Sequence, residues 1–244
     1  SVSAFLLNRS SDLCHWKMRI NRYLAQSGLC SRRDAEKLVR EGRIRINGKI
    51  VSDLSTRVQP QDEVEADGAI VRPVQKKVVY AYHKPVGVTV TMEDPQQKNI
   101  LGDRLKQLPE RVVPVGRLDK DSSGLLLLTN DGALVHRLTH PSFEKEKIYL
   151  VTLDRMPKKK DLEQFERGVL LDGKMTKRAR VKNTPDGLEI RLQEGRNRQI
   201  RRMWDALGYQ VQTLHRIAMD GIRLGELPQG AFRRLGAEEV RKLG

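Results

Sequence analysis

The feature that most constrains this chain is the stretch GRLDKDSSGLLLLTNDG at residues 116–132. The turn-forming residues 119–124 precede the continuous apolar run Leu125–Leu128, which has the length of a strand buried on both faces. Polar residues at 129–131 then offer helix caps. The pattern predicts a turn that fixes Asp119 between two buried elements, as catalytic carboxylates are often fixed. By itself, the pattern also fits an ordinary turn aspartate.

The charge balance points to a polyanionic partner. Lys and Arg number 46 against 31 Asp and Glu, a formal net charge of +15, and nucleic acid is the polyanion that suits such an excess. Nucleic acid is favoured over a membrane, because no apolar run approaches the ~20 residues that a span needs. Cys14 and Cys30 show neither metal-ligand spacing nor a disulfide framework, which predicts a reduced, cytoplasmic protein.

The composition changes along the chain and predicts two domains. Residues 1–17 do not fit the organised pattern that begins at Met18, and we expect a disordered or non-native leader there. Residues 18–66 form the first predicted domain. The stretch 67–77 combines Gly, Pro and charge without periodicity and is interpreted as a linker. Residues 78–244 form the second domain.

The first domain carries a compact basic segment. Ser31 is a helix N-cap with Asp34 three residues on, and Asn47–Gly48 is a strong hairpin turn. A solvated charged face is the alternative to RNA binding here. The segment SRRDAEKLVREGRIRING (31–48) resembles the small alpha-L RNA-binding domain first defined in ribosomal small-subunit protein four. The cations that we expect to contact RNA phosphates are Arg32, Arg33, Arg43 and Lys49.

A second basic segment, EGRNRQIRRMWDALG at 194–208, predicts an amphipathic helix. One side carries Ile200, Met203, Trp204 and Leu207, and the other carries Arg198, Arg201, Arg202 and Asp205. The four arginines between 196 and 202 have no acidic residue among them. We expect RNA phosphates as their partners, with a buried carboxylate for one of them.

Two further motifs complete the second domain. HKPVG (83–87) follows a buried strand, and its Lys84 is expected at the surface, where it would face phosphate. KIYLVTL (147–153) predicts a strand with Tyr149 on the same face as Val151. The sequence has no P-loop, dinucleotide fingerprint, metal cluster or Cys/His pair. We therefore expect chemistry on carboxylate, phenol and guanidinium groups, with no cofactor and no metal.

The motifs GRLDKDSSGLLLLTNDG, HKPVG, KIYLVTL and EGRNRQIRRMWDALG occur in this order, and together they resemble the pseudouridine synthases of the RsuA/RluB/RluF group. The resemblance runs from about Met18 to the C-terminus. It implies an α+β fold: a small N-terminal alpha-L RNA-binding domain, then a catalytic domain with a mixed, mainly antiparallel sheet flanked by helices. It implies isomerisation of uridine in RNA to pseudouridine.

The resemblance also implies roles for individual residues. Asp119 is the catalytic carboxylate and acts at the ribose, either as a nucleophile on the anomeric carbon or as a base in a glycal route. Tyr149 packs on the target base, and Arg201 pairs with Asp119 and keeps it ionised. Arg117 fills the gap left by the flipped-out uridine. The remaining RNA-binding candidates in this domain are Lys147, Arg196, Arg198 and Arg202.

The expected partner is ribosomal RNA or a pre-ribosomal particle, bound by a monomer. Asn197–Arg198 is more similar to the enzymes that act on large-subunit (23S) ribosomal RNA, which favours that substrate. The alternatives are a synthase for small-subunit ribosomal RNA or tRNA, and a non-catalytic ribosomal-RNA-binding assembly factor. The last would be expected to have lost Asp119, Tyr149 or Arg201, and all three are present.

Overall fold

A computed structural model describes residues 17–243 and divides the chain into two compact units, Ser1–Lys77 and Val78–Gly244. The predicted leader, apart from Lys17, lies outside the described residues, and so does Cys14.

In its described residues, the first unit contains two helices and six short strands. In chain order these are β1 (Met18–Arg19), α1 (Ile20–Gln26), α2 (Arg32–Arg40), β2 (Ile44–Ile46), β3 (Lys49–Ile50), β4 (Arg57–Val58), β5 (Val64–Ala66) and β6 (Ala69–Ile70). The Ser31 hydroxyl accepts from Asp34 N at 3.1 Å, and the Asp34 carboxylate accepts from Ser31 N at 3.2 Å, so a reciprocal capping box begins α2. Asn47 and Gly48 have φ values of 51° and 75°, in the left-handed region that the β2–β3 turn requires.

The stretch interpreted as a linker is partly ordered. Its β6 pairs with β5 in the sheet order β3-β2-β5-β6, and Val74 N donates to Gln26 O at 2.9 Å. The interpretation of all of 67–77 as a linker is therefore wrong for its first half, because a two-residue strand beside a Gly turn has too little periodicity to be recognised.

The second unit contains five helices and eleven strands in its described residues. In chain order these are β7 (Val79–Lys84), α3 (Leu101–Leu105), β8 (Val113–Pro114), β9 (Ser123–Thr129), α4 (Gly132–Thr139), β10 (Lys147–Leu153), α5 (Lys159–Arg167), β11 (Leu170–Leu171), β12 (Lys174–Met175), β13 (Arg180–Thr184), β14 (Gly187–Leu192), α6 (Gln199–Ala206), β15 (Val211–Met219), β16 (Ile222–Arg223), β17 (Phe232–Arg234) and α7 (Ala237–Lys242). A short 3-10 turn at Pro141–Phe143 follows α4.

A mixed sheet organises the second unit. Its strands run in the order β13-β14-β10-β15-β9-β7-β17, with β16 paired to β15 and β8 to β9. The β9–β15 pair is parallel and the others are antiparallel. The α+β class with a mixed, mainly antiparallel sheet is thereby confirmed.

Helices cover both faces of this sheet at β9. Leu125 and Leu127 pack with residues of α4 on one face, and Leu126 and Leu128 pack with residues of α3 on the other. All four leucines are fully buried, because successive strand side chains point to opposite faces and both faces are covered. A separate cluster, in which Phe165 of α5 stacks on Trp204 of α6, covers β10 and β14.

None of the helices in the described part of the chain is long and apolar enough to cross a membrane.

Candidate active site

Asp119 lies in the loop that joins β8 to β9. The start of this loop is tied to the sheet, because Val115 N donates to Leu127 O at 2.8 Å, and the loop then closes in a turn in which Ser122 N donates to Asp119 O at 3.1 Å. Val115 and Leu118 are buried, and the Asp119 side chain is half-buried. The apolar residues before Asp119 thus fix the position of its carboxylate.

A buried lysine supports the same loop from the neighbouring strand. Lys84, at the end of β7, is 0% exposed. Its ammonium donates to Ser122 O at 2.7 Å and to Pro85 O at 3.0 Å. Burial lowers the pKa of Lys84 to about 8, against the raising effect of nearby carboxylates. The expectation of a surface lysine is therefore wrong, because the strand end and the loop close over it.

A cavity of about 340 Å³ opens beside Asp119, within the size range of small-ligand sites. The loop after β8, the turn after α4, strands β10 and β15 and the segment before α6 form its walls. The predicted site residues that line it are Arg117, Asp119, Lys147, Tyr149, Arg196 and Arg198. Arg201 and Arg202 are not part of its lining.

Tyr149 stands at the junction of two core clusters. Its half-buried ring packs against both the cluster of α6 and the cluster of α3 and also lines the cavity. The ring is thus supported from two sides and is open to the cavity on a third. Such an arrangement offers a flat, fixed surface for an aromatic ligand.

The carboxylates of the loop differ in their partners. Asp121 accepts two hydrogen bonds from Arg198, at 3.0 and 2.9 Å, and Arg201 Nε lies 3.2 Å from its Oδ2. Burial acts to raise the pKa of Asp121, but the Arg198 hydrogen bond and the charge of Arg201 lower it overall. By contrast, the Asp119 carboxylate accepts no hydrogen bond from any residue between 17 and 243.

The expected pair between Arg201 and Asp119 is therefore corrected. Arg201 donates to the carbonyl oxygens of Asp121 at 2.8 Å and Val211 at 3.0 Å and forms its ion pair with the Asp121 carboxylate. Two residues separate the aspartates in a turn, and Asp119 lines the cavity while Asp121 contacts α6. The turn thus presents the second carboxylate, not the first, to the arginine helix.

The other arginines of this segment also have internal partners. Arg202 donates to Asp172 at 2.6 Å. Arg196 donates to carbonyl oxygens of Leu171, Lys174 and Met175 and lies 3.5 Å from Glu194. The expectation that most of these arginines lack an acidic partner is wrong, because Asp121 and Asp172, which are distant in sequence, fold against three of them and Glu194 lies beside Arg196. Their contact with RNA stays a prediction.

Two of the predicted cations that line the cavity have no acidic partner in the described part of the chain. Arg117 is exposed and makes no hydrogen bond or ion pair with any described residue. Lys147 is half-buried and donates to Lys145 O at 3.1 Å. Burial, helped by the charge of Arg216, lowers the pKa of Lys147. These two side chains give the cavity positive charge that the protein leaves uncompensated.

In the first unit, the predicted RNA-binding cations fall into two groups. Arg32, Arg33 and Lys49 are exposed and have no bonded partner among the described residues. Arg43 donates to both Asp67 oxygens, at 2.8 and 2.6 Å, and to Glu41. The hydrogen bonds that Arg43 donates to Asp67 raise the pKa of Arg43. Arg43 is therefore already paired, whereas the other three are available to phosphate.

Sequence reasoning missed Arg216, which lines the cavity from β15 and is 2% exposed. The motif VQTLHRI predicts only a strand with alternating burial. The one signal for Arg216 is that an arginine occupies a position where this alternation predicts a buried side chain. Among residues 17–243, no cluster of His, Cys, Asp and Glu has the size needed to hold a metal ion.

Comparison with known proteins agrees with this architecture. The family model described as RNA pseudouridylate synthase matches residues 78–206, and the S4 domain model matches residues 18–64. Ribosomal large subunit pseudouridine synthase B of Bacillus subtilis is 37% identical, over 92% of this chain and 95% of its own length. The dual-specificity RNA pseudouridine synthase RluF of Escherichia coli K12 is 38% identical, over 91% of this chain and 77% of its own length.

A solved structure supports the same assignment. A crystal structure of a pseudouridylate synthase is 30% identical, with a TM-score of 0.68 over 93% of this chain and all of its own. Family model, relatives and structure thus agree along nearly the whole sequence. The chain belongs to the RNA pseudouridylate synthase family and carries an S4 domain in front of the synthase domain.

Proposed function

We propose that this chain converts specific uridines of ribosomal RNA, in the large subunit, into pseudouridine. The names of the Bacillus subtilis and Escherichia coli relatives support an RNA substrate, and the first of them supports the large subunit. The S4 domain and the surplus of cations fit a substrate rich in phosphate. Monomeric state and cytoplasmic location stay predictions.

The observation that carries the proposal is the free carboxylate in the cavity. Asp119 lies in a loop anchored by the buried Val115 and Leu118, lines the cavity and accepts no hydrogen bond from any described residue, whereas Asp121 is bonded to Arg198. A carboxylate that reacts at a sugar carbon needs unengaged oxygens and a fixed approach. Asp119 meets both conditions, whereas the oxygens of Asp121 are engaged by Arg198.

The chemistry assigned to Asp119 starts at the base–ribose bond. In one route its oxygen bonds to the anomeric carbon C1′ while the C1′–N1 bond breaks, as in retaining glycosidases. In the other it removes a proton from C2′ and a glycal forms. In both routes the freed uracil turns within the cavity and is rejoined through C5.

Three further side chains have roles in this proposal. Tyr149 offers its supported ring to the target base. Arg201 is a positioning residue: it holds the turn through Asp121 and so orients Asp119 two residues away. Arg117, exposed at the cavity and without a described partner, inserts where the uridine leaves the stack.

The experiment compares wild type with Asp119→Asn on transcripts of large-subunit ribosomal RNA, small-subunit ribosomal RNA and tRNA. Pseudouridine is mapped after reaction, and RNA affinity is measured by filter binding. We expect pseudouridine in the large-subunit transcript with wild type and none with Asp119→Asn, whose Kd stays within about threefold because the carboxylate acts in the chemical step. Asp186→Asn, in the β13–β14 turn, is the matched control and keeps wild-type activity.

Three results would contradict the proposal. Pseudouridine formed by Asp119→Asn at the wild-type rate would remove the role of that carboxylate. If only the small-subunit transcript or only tRNA were modified, that RNA and not large-subunit ribosomal RNA would be the substrate. Tight binding by wild type without modification of any transcript would favour a non-catalytic assembly factor.

A further inference from the structure

The cavity beside Asp119 contains a second charged group that the protein leaves without a partner. Arg216 is 2% exposed, and its Nε donates to Leu125 O at 2.7 Å. Its Nη2 is buried and has no hydrogen-bond acceptor among residues 17–243. A buried donor without an acceptor costs free energy, so its persistence in the fold points to an acceptor supplied by a ligand.

The position of Arg216 points to what that ligand is. Arg216 lies directly opposite Tyr149 in the antiparallel β10–β15 pair, so the two side chains share one face of the sheet. Its neighbour on the other side, in β9, is Gly124, which contributes no side chain. Arg216 and Tyr149 line the cavity together with Asp119.

The other cations of the cavity are differently placed. Lys145 pairs with Asp220 at 2.8 Å, and Arg198 pairs with Asp121. Arg196 is held by carbonyl oxygens. Arg117 is exposed and Lys147 is half-buried with its ammonium bonded to Lys145 O, whereas Arg216 is buried. The interior of the cavity therefore combines one unpaired carboxylate with one unpaired guanidinium.

We propose that Arg216 binds a carbonyl oxygen of the target uracil and stabilises the negative charge that the base acquires when it separates from the ribose. This inference rests on the proposed function. It adds a second electrostatic partner to Asp119: the carboxylate faces the sugar and the guanidinium faces the base. Opposite charges fixed in a cavity before reaction lower the barrier to a charge-separating step.

As the C1′–N1 bond breaks, its electron pair passes to N1 and spreads over the uracil carbonyl oxygens, where Arg216 lies. The positive charge on the sugar is taken up by the new bond from Asp119 to C1′ or by loss of the C2′ proton to Asp119. When C5 bonds to C1′, the Asp119 bond breaks or C2′ regains its proton, and the C5 proton passes to N1.

A phosphate oxygen is the other anionic acceptor that RNA offers. Phosphates lie on the outside of the RNA chain and carry a full charge that is costly to bury. Arg216 is nearly inaccessible and stands beside the tyrosine ring, so a flipped-out base reaches it first. The exposed Arg117 is better placed for a phosphate at the cavity mouth.

The test uses the full-length chain with two large-subunit transcripts, one made with uridine and one with 5-fluorouridine. Fluorine withdraws electrons and makes uracil a better leaving group, so a residue that stabilises the leaving group is needed less. Single-turnover formation of the carbon-linked nucleoside is followed by mass spectrometry after digestion, and Kd is measured alongside. For 5-fluorouridine this product carries water added at C6, because C5 has no proton to lose. The variants are Arg216→Met and Arg216→Lys. The control is Arg223→Met, at an exposed position of the adjacent strand β16.

For uridine, we expect Arg216→Met to slow the reaction about 100-fold, as loss of one transition-state donor does, with Kd within about threefold. With 5-fluorouridine the loss shrinks to about tenfold, and Arg216→Lys restores part of the rate because it restores charge. Arg223→Met matches wild type.

Several outcomes would overturn the inference. Equal losses on both transcripts, in Arg216→Met or in a folded Arg216→Lys, would indicate a structural role. A raised Kd with an unchanged rate would assign Arg216 to phosphate. If wild type forms no pseudouridine on any transcript, the proposed function fails, and this inference fails with it. If wild type is active and the Arg216 variants do not behave as expected, only this inference fails.

Discussion

Asp121 accepts two hydrogen bonds from Arg198, at 3.0 and 2.9 Å, and this pair joins the loop of Asp119 to the residue directly before α6. The charge of Asp119 also raises the pKa of Arg198, after the larger effect of Asp121, so Arg198 lies within electrostatic range of both carboxylates. The pair with Asp121 thus leaves Asp119 unengaged.

Removing this pair is predicted to slow the reaction more than it destabilises the fold. In Asp121→Asn the guanidiniums of Arg198 and Arg201 turn to Asp119, and we expect the single-turnover rate to fall about tenfold. The pair is half-exposed and screened, so the free energy of unfolding falls by less than about 1 kcal/mol. Asp172→Asn, which frees Arg202 away from the cavity, is the control for rate and urea denaturation. A wild-type rate in Asp121→Asn would contradict this account.

Gly124 is predicted to be essential for the β9–β15 pair. A Cβ built there lies 2.3 Å from Arg216 O and 2.5 Å from Arg216 N, and φ is +108°, which L side chains rarely adopt. We expect Gly124→Ala to lower the free energy of unfolding by at least about 3 kcal/mol in urea denaturation. Gly132→Ala is the matched control, since its Cβ meets nothing within 4 Å, and we expect it to leave stability unchanged or higher. Equal stability of the two variants would exclude the proposed crowding.

Local features of this fold follow from the sequence because neighbouring residues decide them. The apolar run Leu125–Leu128 predicts the buried central strand, Ser31 with Asp34 predicts the capped helix, and Asn47–Gly48 predicts the hairpin. All three are confirmed. The order of the motifs also predicts the family and the fold class, since each motif corresponds to one wall or support of the same cavity.

The partners of individual charges could not be predicted in this way. Arg198 is 77 positions from the aspartate that binds it, and spacing along the chain says nothing about which of two turn carboxylates faces a distant helix. The arginine segment shows the same limit: α6 begins only at Gln199, because Arg198 adopts a left-handed φ of 48°. Lys84 and Arg216 are long charged residues on buried strands, where hydropathy favours exposure.

The buried ammonium of Lys84 predicts an alkaline rise in stability. Burial lowers its pKa to about 8 in the folded chain, from the ordinary lysine value of 10.5. Between these values the unfolded chain binds more protons, so the free energy of unfolding increases as pH rises from about 8 to 10.5, by up to about 3 kcal/mol. Urea denaturation across this range should show the rise in wild type. In Lys84→Met we expect a smaller rise, to which Lys147 still contributes because burial lowers its pKa too, and a rise as large as in wild type would assign it to other groups.

The two groups of cations in the S4 domain predict different salt dependences. Arg32 and Arg33 are exposed without described partners, whereas Arg43 is already paired with Asp67. In the double variant Arg32→Gln/Arg33→Gln we expect weaker binding of a large-subunit transcript and a slope of log affinity against log salt smaller by about 1.5, because two phosphate contacts are lost.

The control is Arg43→Gln, the same substitution at a paired arginine: it lowers the melting temperature and changes the slope by less than about 0.5. Filter binding at five or more salt concentrations measures both slopes. If Arg43→Gln changed the slope as much as the double variant, the pairing with Asp67 would not decide which cations bind RNA.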